Sequence, residues 1–231
     1  MKNKGAIVLC SGGIDSVVTS FYAKKILDYK EIIVLFLNYN QKSLVQERKC
    51  AKKCAAALGA RFIEIDTSVG KISTSLINVK GTHKKITRKE LKNTKDESKK
   101  YYVPSRNLIF LSYALSLAES LFIKNNMKHD IFVGFKNEGR EHYPDTSVHF
   151  LNIMNKVSKI SSLSKPKIIA PLIKKDKEDI IRLGMKVGVN FRDTNSCYVS
   201  KNKHCGSCLS CMLRKEGFYW ANLKDPTDYA K

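Results

Sequence analysis

The sequence lacks any uninterrupted apolar run long enough to cross a bilayer. Its longest stretches, around residues 32–37 and 108–111, fall far short of the roughly 20 residues a spanning helix needs. No charged-then-apolar leader stands at the N-terminus, so a cytoplasmic protein with no membrane partner is expected. Acids are scarce, 21 against 42 basic residues, giving a formal charge of +21. Arginine is scarcer still: eight positions (48, 61, 88, 106, 140, 182, 192, 214) against a large excess of lysine. Lysine spread over helix surfaces reflects compositional bias, and arginine is the better reader of bases and phosphates. Nucleic acid is therefore kept as a partner class but not favoured. Internal repeats and low-complexity tracts are missing. What remains is 231 residues, 43% apolar and 27% charged, enough for one substantial core with a small appendage.

Against that background the stretch Ser11-Gly12-Gly13-Ile14-Asp15-Ser16 stands out, because it follows the apolar run Ala6-Ile7-Val8-Leu9-Cys10 directly. An amphipathic segment (Val17, Val18, Phe21, Tyr22, Ile26, Leu27) comes next, so the order reads strand, tight loop, helix. Gly12 and Gly13 let the backbone approach a ligand, Ser11 and Ser16 supply hydroxyls, and the helix start supplies N–H groups for phosphate. Asp15 repels phosphate unless a cation lies between them, which points to Mg²⁺ and a nucleotide pyrophosphate. The spacing is neither GxxxxGK[ST] nor GxGxxG.

The rest of the first half continues the rhythm. An apolar strand at 32–37 and a polar loop at 38–43 lead to a helix with Cys50, Cys54, Ala55 and Leu58 on one face, closed by Gly59. A strand at 61–66 follows. Alternating strands and helices predict an α/β fold with a doubly wound parallel sheet. Residues 68–100 break the pattern. Within them, 80–100 carries nine Lys/Arg against three acids, so a mobile basic insertion is expected, with a lid or docking strip as the sharper reading. Pro104 and Ser105 suit the start of a helix running to about Ile123, apolar nearly all round and so expected in the core. A strand at 130–134, a helix at 151–163, a strand at 167–170 and a helix at 177–187 complete the series. The division expected is residues 1–190, a nucleotide-binding domain, and 191–231, a small metal-binding subdomain.

That subdomain holds Cys197, Cys205, Cys208 and Cys211, spaced C-x7-C-x2-C-x2-C. Four thiolates brought to one point make a closed tetrahedral site that suits structural Zn²⁺; an Fe–S cluster satisfies the same spacing. His204 is left out, since adjacent residues rarely share one metal. Cys10, Cys50 and Cys54 are expected to pack as small apolar residues, with a reactive role left open for Cys10 beside the loop.

The SGGxDS loop resembles that of the ATP pyrophosphatases. Further blocks run in order from end to end: Tyr39-Asn40-Gln41, Tyr102-Val103-Pro104-Ser105-Arg106-Asn107, Tyr143-Pro144-Asp145, Pro171-Leu172 with Lys177, and Ser196-Cys197-Tyr198. Together with the cysteines, the set resembles the 7-cyano-7-deazaguanine synthases, the QueC-type members of that group, over nearly the whole chain. The four cysteines and the VPxRN block separate it from tRNA lysidine synthetases and thiouridine synthases.

The resemblance implies an ATP-dependent carbon–nitrogen ligase that adenylates 7-carboxy-7-deazaguanine and replaces AMP with ammonia, a second ATP then converting the amide to the nitrile. It also implies a homodimer. On this chain it assigns Cys10, Ser11, Gly12, Gly13, Ile14, Asp15 and Ser16 to the nucleotide and its Mg²⁺. Asp15, Arg106 and Lys177 become the catalytic charges, and Gln41, Asn107, Tyr143 and Asp145 the substrate-side residues. The chain departs from the family pattern at 137–150, which keeps Tyr-Pro-Asp and Phe150 but has Gly139 in place of an aspartate. It departs again at the QRHxxE block, here Gln41-Lys42-Ser43-Leu44-Val45-Gln46, with Glu47 one place late. These changes fall on the substrate side. They leave an alternative open, in which the activated deazaguanine is joined as an amide to an amine of a protein or nucleic acid, as in antiviral defence. A non-catalytic zinc-bearing nucleic-acid binder is the third reading.

Overall fold

The computed structural model describes residues 4–81, 83–136, 143–199 and 202–230. Five parallel strands form one sheet in the order β3-β2-β1-β4-β5: β1 Lys4–Leu9, β2 Ile32–Asn38, β3 Arg61–Asp66, β4 Lys128–Phe132 and β5 Ile168–Ile169. Helices α1 Ile14–Lys25, α2 Leu44–Leu58, α4 Arg106–Asn125, α5 Val148–Ser161 and α6 Lys177–Lys186 connect or follow them. Short α3 Lys95–Lys99 lies in the insertion and α7 Leu209–Trp220 near the C-terminus. This is the doubly wound α/β arrangement expected.

Alternation along the strands builds two cores. In β1, Ala6 and Val8 face α1, α2, α6 and α7, whereas Ile7 faces α4 and α5. The first core joins Val17, Val18 and Phe21 to Phe36, Phe132, Ile180, Ile181 and Phe218; the second joins Ile33, Leu35 and Ile131 to Leu111, Ala114 and Ala118. Because both faces of β1 and β2 are covered, their sequences read as continuous apolar runs rather than as alternation. The partly exposed edge strand β3 carries the alternating sequence.

Two expectations change. The helix at 106–125 is not enclosed: α4 buries Leu111, Ala114 and Ala118 against the sheet and leaves Leu108, Tyr113 and Ile123 exposed, the last by 70%. Its 20 residues and apolar composition meet the length of a membrane span, but that one face is packed as a sheet helix. Its composition comes from two apolar faces, of which the sheet takes one.

The segment 68–100, expected to be mobile, is tied to the body. Val69, Ile77 and Ile86 pack with Tyr39, Tyr101, Val103 and Leu209 in a third cluster, and the Ile86 N–H bonds the Ser207 carbonyl at 2.7 Å. Few apolar residues sufficed because each one lands on an existing surface. Residues 191–231 likewise share the main core, through Phe191, Phe218 and Ala221.

Candidate nucleotide site and cysteine cluster

The loop after β1 is set by close packing. Gly12 has φ +76°, and a Cβ there would sit 2.6 Å from the Glu47 carbonyl and 2.7 Å from the Cys50 Cβ, so only glycine fits. Gly13 caps α1 and has no side chain to accept from the first turn, so that turn's N–H groups lack a side-chain cap among the described residues. The Ser11 hydroxyl accepts from the Gly13 N–H (3.3 Å) and lies 3.3 Å from the Ser16 hydroxyl, which donates to the Gly13 carbonyl (3.1 Å). The side chains of Cys10 and Ile14 are only 2% exposed and point into the core, so these two residues offer the loop their backbone alone. Gly134, which sequence reasoning treated only as a strand end, lets β4 approach: a Cβ there would meet the Ser16 nitrogen at 2.9 Å.

Asp15 is clasped by Lys177, whose Nζ donates to both carboxylate oxygens at 2.7 and 2.8 Å. Lys177 opens α6, and its stem crosses α7 at Gly217, where a Cβ would lie 2.3 Å from the Lys177 Cγ. No local signal marked Gly217.

Arg106 begins α4. Its guanidinium lies 5.8 Å from the Tyr39 ring and 5.9 Å from the Phe110 ring, Nη1 reaches the Tyr39 hydroxyl at 3.5 Å, and the buried Nε has no partner among the described residues. Burial pushes the Tyr39 hydroxyl up to about 12, so it stays protonated. Asp145 accepts from the Asn107 N–H at 3.0 Å, and the Asn107 amide donates to the Asp145 carbonyl at 3.2 Å. The two assigned substrate-side residues thus bind each other, with Asp145 capping α4 from a distant element. Tyr143 donates to the Ser98 carbonyl (2.9 Å) and stacks on Tyr102 (5.3 Å), joining the insertion to the Tyr-Pro-Asp turn. Gly139 and the rest of 137–142 lie outside the described residues.

Gln41 folds back on its own loop: Oε1 accepts from the Tyr39 N–H (3.0 Å) and Nε2 donates to Glu47 (2.9 Å), which also accepts from the Ser43 hydroxyl (2.5 Å). Glu47, one place late in sequence, still reaches Gln41. Burial raises its carboxyl above the usual range.

The four cysteines converge. The sulfurs of Cys197, Cys205, Cys208 and Cys211 all lie within 4.8 Å of one another, with Cys205 half-buried and the others buried. Backbone N–H groups donate to two of them, Cys205 to the Cys197 sulfur (3.4 Å) and Cys208 to the Cys205 sulfur (3.3 Å). Such donors favour thiolate, and four thiolates at this separation could bind a metal. His204 is turned away, its Nε2 accepting from the Ser196 N–H at 2.9 Å. Two residues before Cys197, the Asn195 N–H bonds the Gly12 carbonyl at 2.8 Å, which ties this part of the chain to the Ser11–Ser16 loop. Cys10, Cys50 and Cys54 are buried as expected, and the neighbouring Cys54 thiol, with the Gly12 backbone, lowers Cys10 to about 7.

Comparisons with known proteins extend this picture. The profile described as "Queuosine biosynthesis protein QueC" matches residues 5–222. A 7-cyano-7-deazaguanine synthase of Methanosphaera stadtmanae is 39% identical over 239 residues, covering 100% of both chains. That of Methanobrevibacter smithii is 36% identical over 234 residues, covering 99% of each. A bacterial one, from Syntrophus aciditrophicus, is 37% identical and covers 96% of each chain. Among solved structures, the U34-tRNA thiolase NcsA from Methanococcus maripaludis with its [4Fe-4S] cluster matches 95% of this chain and 65% of its own. Its TM-score is 0.45 at 15% identity, too distant to carry an argument. A likeness that runs through the nucleotide loop, the VPxRN block and the cysteines, at this identity and over this length, leaves one conclusion: the chain belongs to the QueC family of queuosine-biosynthesis proteins.

Proposed function

We propose that the protein adenylates the carboxylate of 7-carboxy-7-deazaguanine and converts it to 7-cyano-7-deazaguanine. The observation that carries this reading is the charge arrangement at the carboxyl ends of β1 and β2. The start of α1 after β1 carries the Asp15–Lys177 pair, and Arg106, its Nε unpartnered among the described residues, stands beside Tyr39 just after β2, in a chain whose full-length relatives are named for that product. Carboxylate is a poor electrophile. Its oxygen attacks the α-phosphorus of ATP, and pyrophosphate leaves, held by the 11–16 loop. Ammonia adds to the acyl carbon and AMP departs, leaving the amide once a proton is lost to solvent. The amide oxygen attacks a second ATP, and loss of two protons and AMP leaves the nitrile. Positioning and charge neutralisation are the protein's contribution.

Asp15 is the residue that would hold Mg²⁺ among phosphates; Lys177 occupies the same carboxylate and is placed to move onto phosphate as the cation binds. The cysteine quartet would hold Zn²⁺ as a closed structural site, fixing Asn195 on the nucleotide loop. Apolar side chains exposed on α4 and α5 (Tyr113, Ile123, Ile153, Ile160) support a homodimer through that face. The relatives' names favour the nitrile over amide conjugation. Exchange of labelled pyrophosphate into ATP tests the reading. Exchange that requires 7-carboxy-7-deazaguanine supports it; exchange indifferent to that acid, or none, counts against it.

A further inference from the structure

Lys42 stands in the turn between β2 and α2, at the carboxyl end of the sheet, three residues beyond Tyr39. Its N–H bonds the Ile77 carbonyl (2.9 Å), which fixes the turn against the 68–100 segment. Among the described residues no carboxylate pairs with its ammonium, and the one hydrogen bond it makes is to a neutral ring, His83 Nε2 at 3.3 Å. His83 Nδ1 lies 3.3 Å from the Tyr101 hydroxyl, and that hydroxyl lies 3.3 Å from Glu97 Oε1.

A single proton assignment satisfies all three contacts. The carboxylate oxygen accepts, so the Tyr101 O–H donates to Glu97. The Tyr101 oxygen then accepts from His83 Nδ1–H, and the bare Nε2 accepts from Lys42. The rings are held in place: His83 stacks on Tyr101 (5.9 Å, 16°), and Tyr101 packs on Tyr198 (4.9 Å). Glu97 is 9% exposed, and its other oxygen takes Lys100 at 2.7 Å. Fixing a lysine side chain costs rotamer entropy. Here that ordering leaves the positive charge uncompensated, close in sequence to Tyr39, whose hydroxyl meets Arg106.

We propose that Lys42 receives an anionic group of a substrate, carboxylate or phosphate, and that His83 is the positioning residue that aims it, backed by Tyr101 and Glu97. The proposal rests on the carboxylate-activating reading and adds a cation to the side of the site where the chain departs from the family pattern. A carboxylate or phosphate on Lys42 gains a charge-assisted hydrogen bond without displacing an existing partner carboxylate.

Calorimetry on the full-length protein tests it, with MgATP and 7-carboxy-7-deazaguanine titrated separately. Lys42→Met is expected to weaken one of the two about tenfold and leave the other within about twofold. Loss on the acid identifies the carboxylate as the anion, and loss on MgATP identifies a phosphate. Lys42→Arg restores most of the affinity. His83→Leu reproduces the selective loss several-fold, whereas His83→Gln, whose amide can accept from Lys42 and donate to Tyr101, binds nearly as wild type. Unchanged binding of both ligands by Lys42→Met overturns the proposal, as does equal damage from His83→Gln and His83→Leu. Wild-type protein that binds neither ligand overturns the parent reading as well, so the two failures are told apart.

Discussion

Lys177 donates to both carboxylate oxygens of Asp15, at 2.7 and 2.8 Å, across 162 positions of sequence. The contact joins the first turn of α1 to the first residue of α6 and places a cation where the nucleotide loop opens. The pair is part-buried, with side chains about a fifth to a quarter exposed at 20% and 24%, so removing either member takes a charge-assisted contact from the other.

Removing the pair's members should therefore give different results. Asp15→Asn is expected to lower pyrophosphate exchange by about 10²–10³ while the protein still folds. Lys177→Met should lower it by a similar factor, and in addition weaken MgATP binding in calorimetry.

The nucleotide loop is predicted to tolerate no side chain at Gly12. Gly12→Ala forces a Cβ to 2.6 Å from the Glu47 carbonyl at positive φ, and a loss of about 2–4 kcal/mol in urea unfolding is expected. Gly217→Ala drives the Lys177 stem aside, with a smaller loss of stability but a measurable loss of exchange.

Metal content should read one zinc per chain by plasma emission. Cys208→Ser should release it, lower the melting temperature and weaken MgATP binding, because the Asn195–Gly12 hydrogen bond couples the cluster to the loop.

Acid stability carries a further signature. Hydrogen bonds from Ser162, Ser164 and the Leu163 and Ser164 N–H groups hold the Glu119 carboxyl down to about 2. A depressed carboxyl stabilises the fold above its unfolded value near 4.5 and loses that contribution as pH falls towards 2. Glu119 is half-buried at the helix surface and open to solvent screening, so the effect is discounted to about 1 kcal/mol. Glu119→Gln should cost that much at pH 7 and nothing near pH 2, as read from melts across the range.

Ile123 and Ile160 are exposed by 70% and 86% on the outer helices. Light scattering should find a dimer for the wild type, and Ile123→Glu with Ile160→Glu should yield a folded monomer.

How much of this was legible in the sequence depended on distance along the chain. The SGGIDS loop and its flanking strand and helix are local, as are the three closely spaced cysteines, so pattern and spacing revealed them. The Asp15–Lys177 pair was visible only as two candidate charges, since nothing local says which elements meet. Asp145 was assigned to the substrate side by resemblance alone, and its hydrogen bond to the Asn107 N–H at the start of α4 exists only after folding. Apolar composition placed α4 inside the core, although composition cannot say how many of a helix's faces the sheet will cover. The 68–100 segment looked mobile for the converse reason: its few apolar residues, Val69, Ile77 and Ile86, bury against surfaces supplied by the rest of the chain.

The most direct test supplies the pure protein with 7-carboxy-7-deazaguanine, MgATP and ammonium and identifies the products by mass. The account predicts 7-cyano-7-deazaguanine, with one AMP and one pyrophosphate released for each of the two activations. ATP consumption that stops at the amide, or that proceeds without the deazaguanine acid, would contradict it.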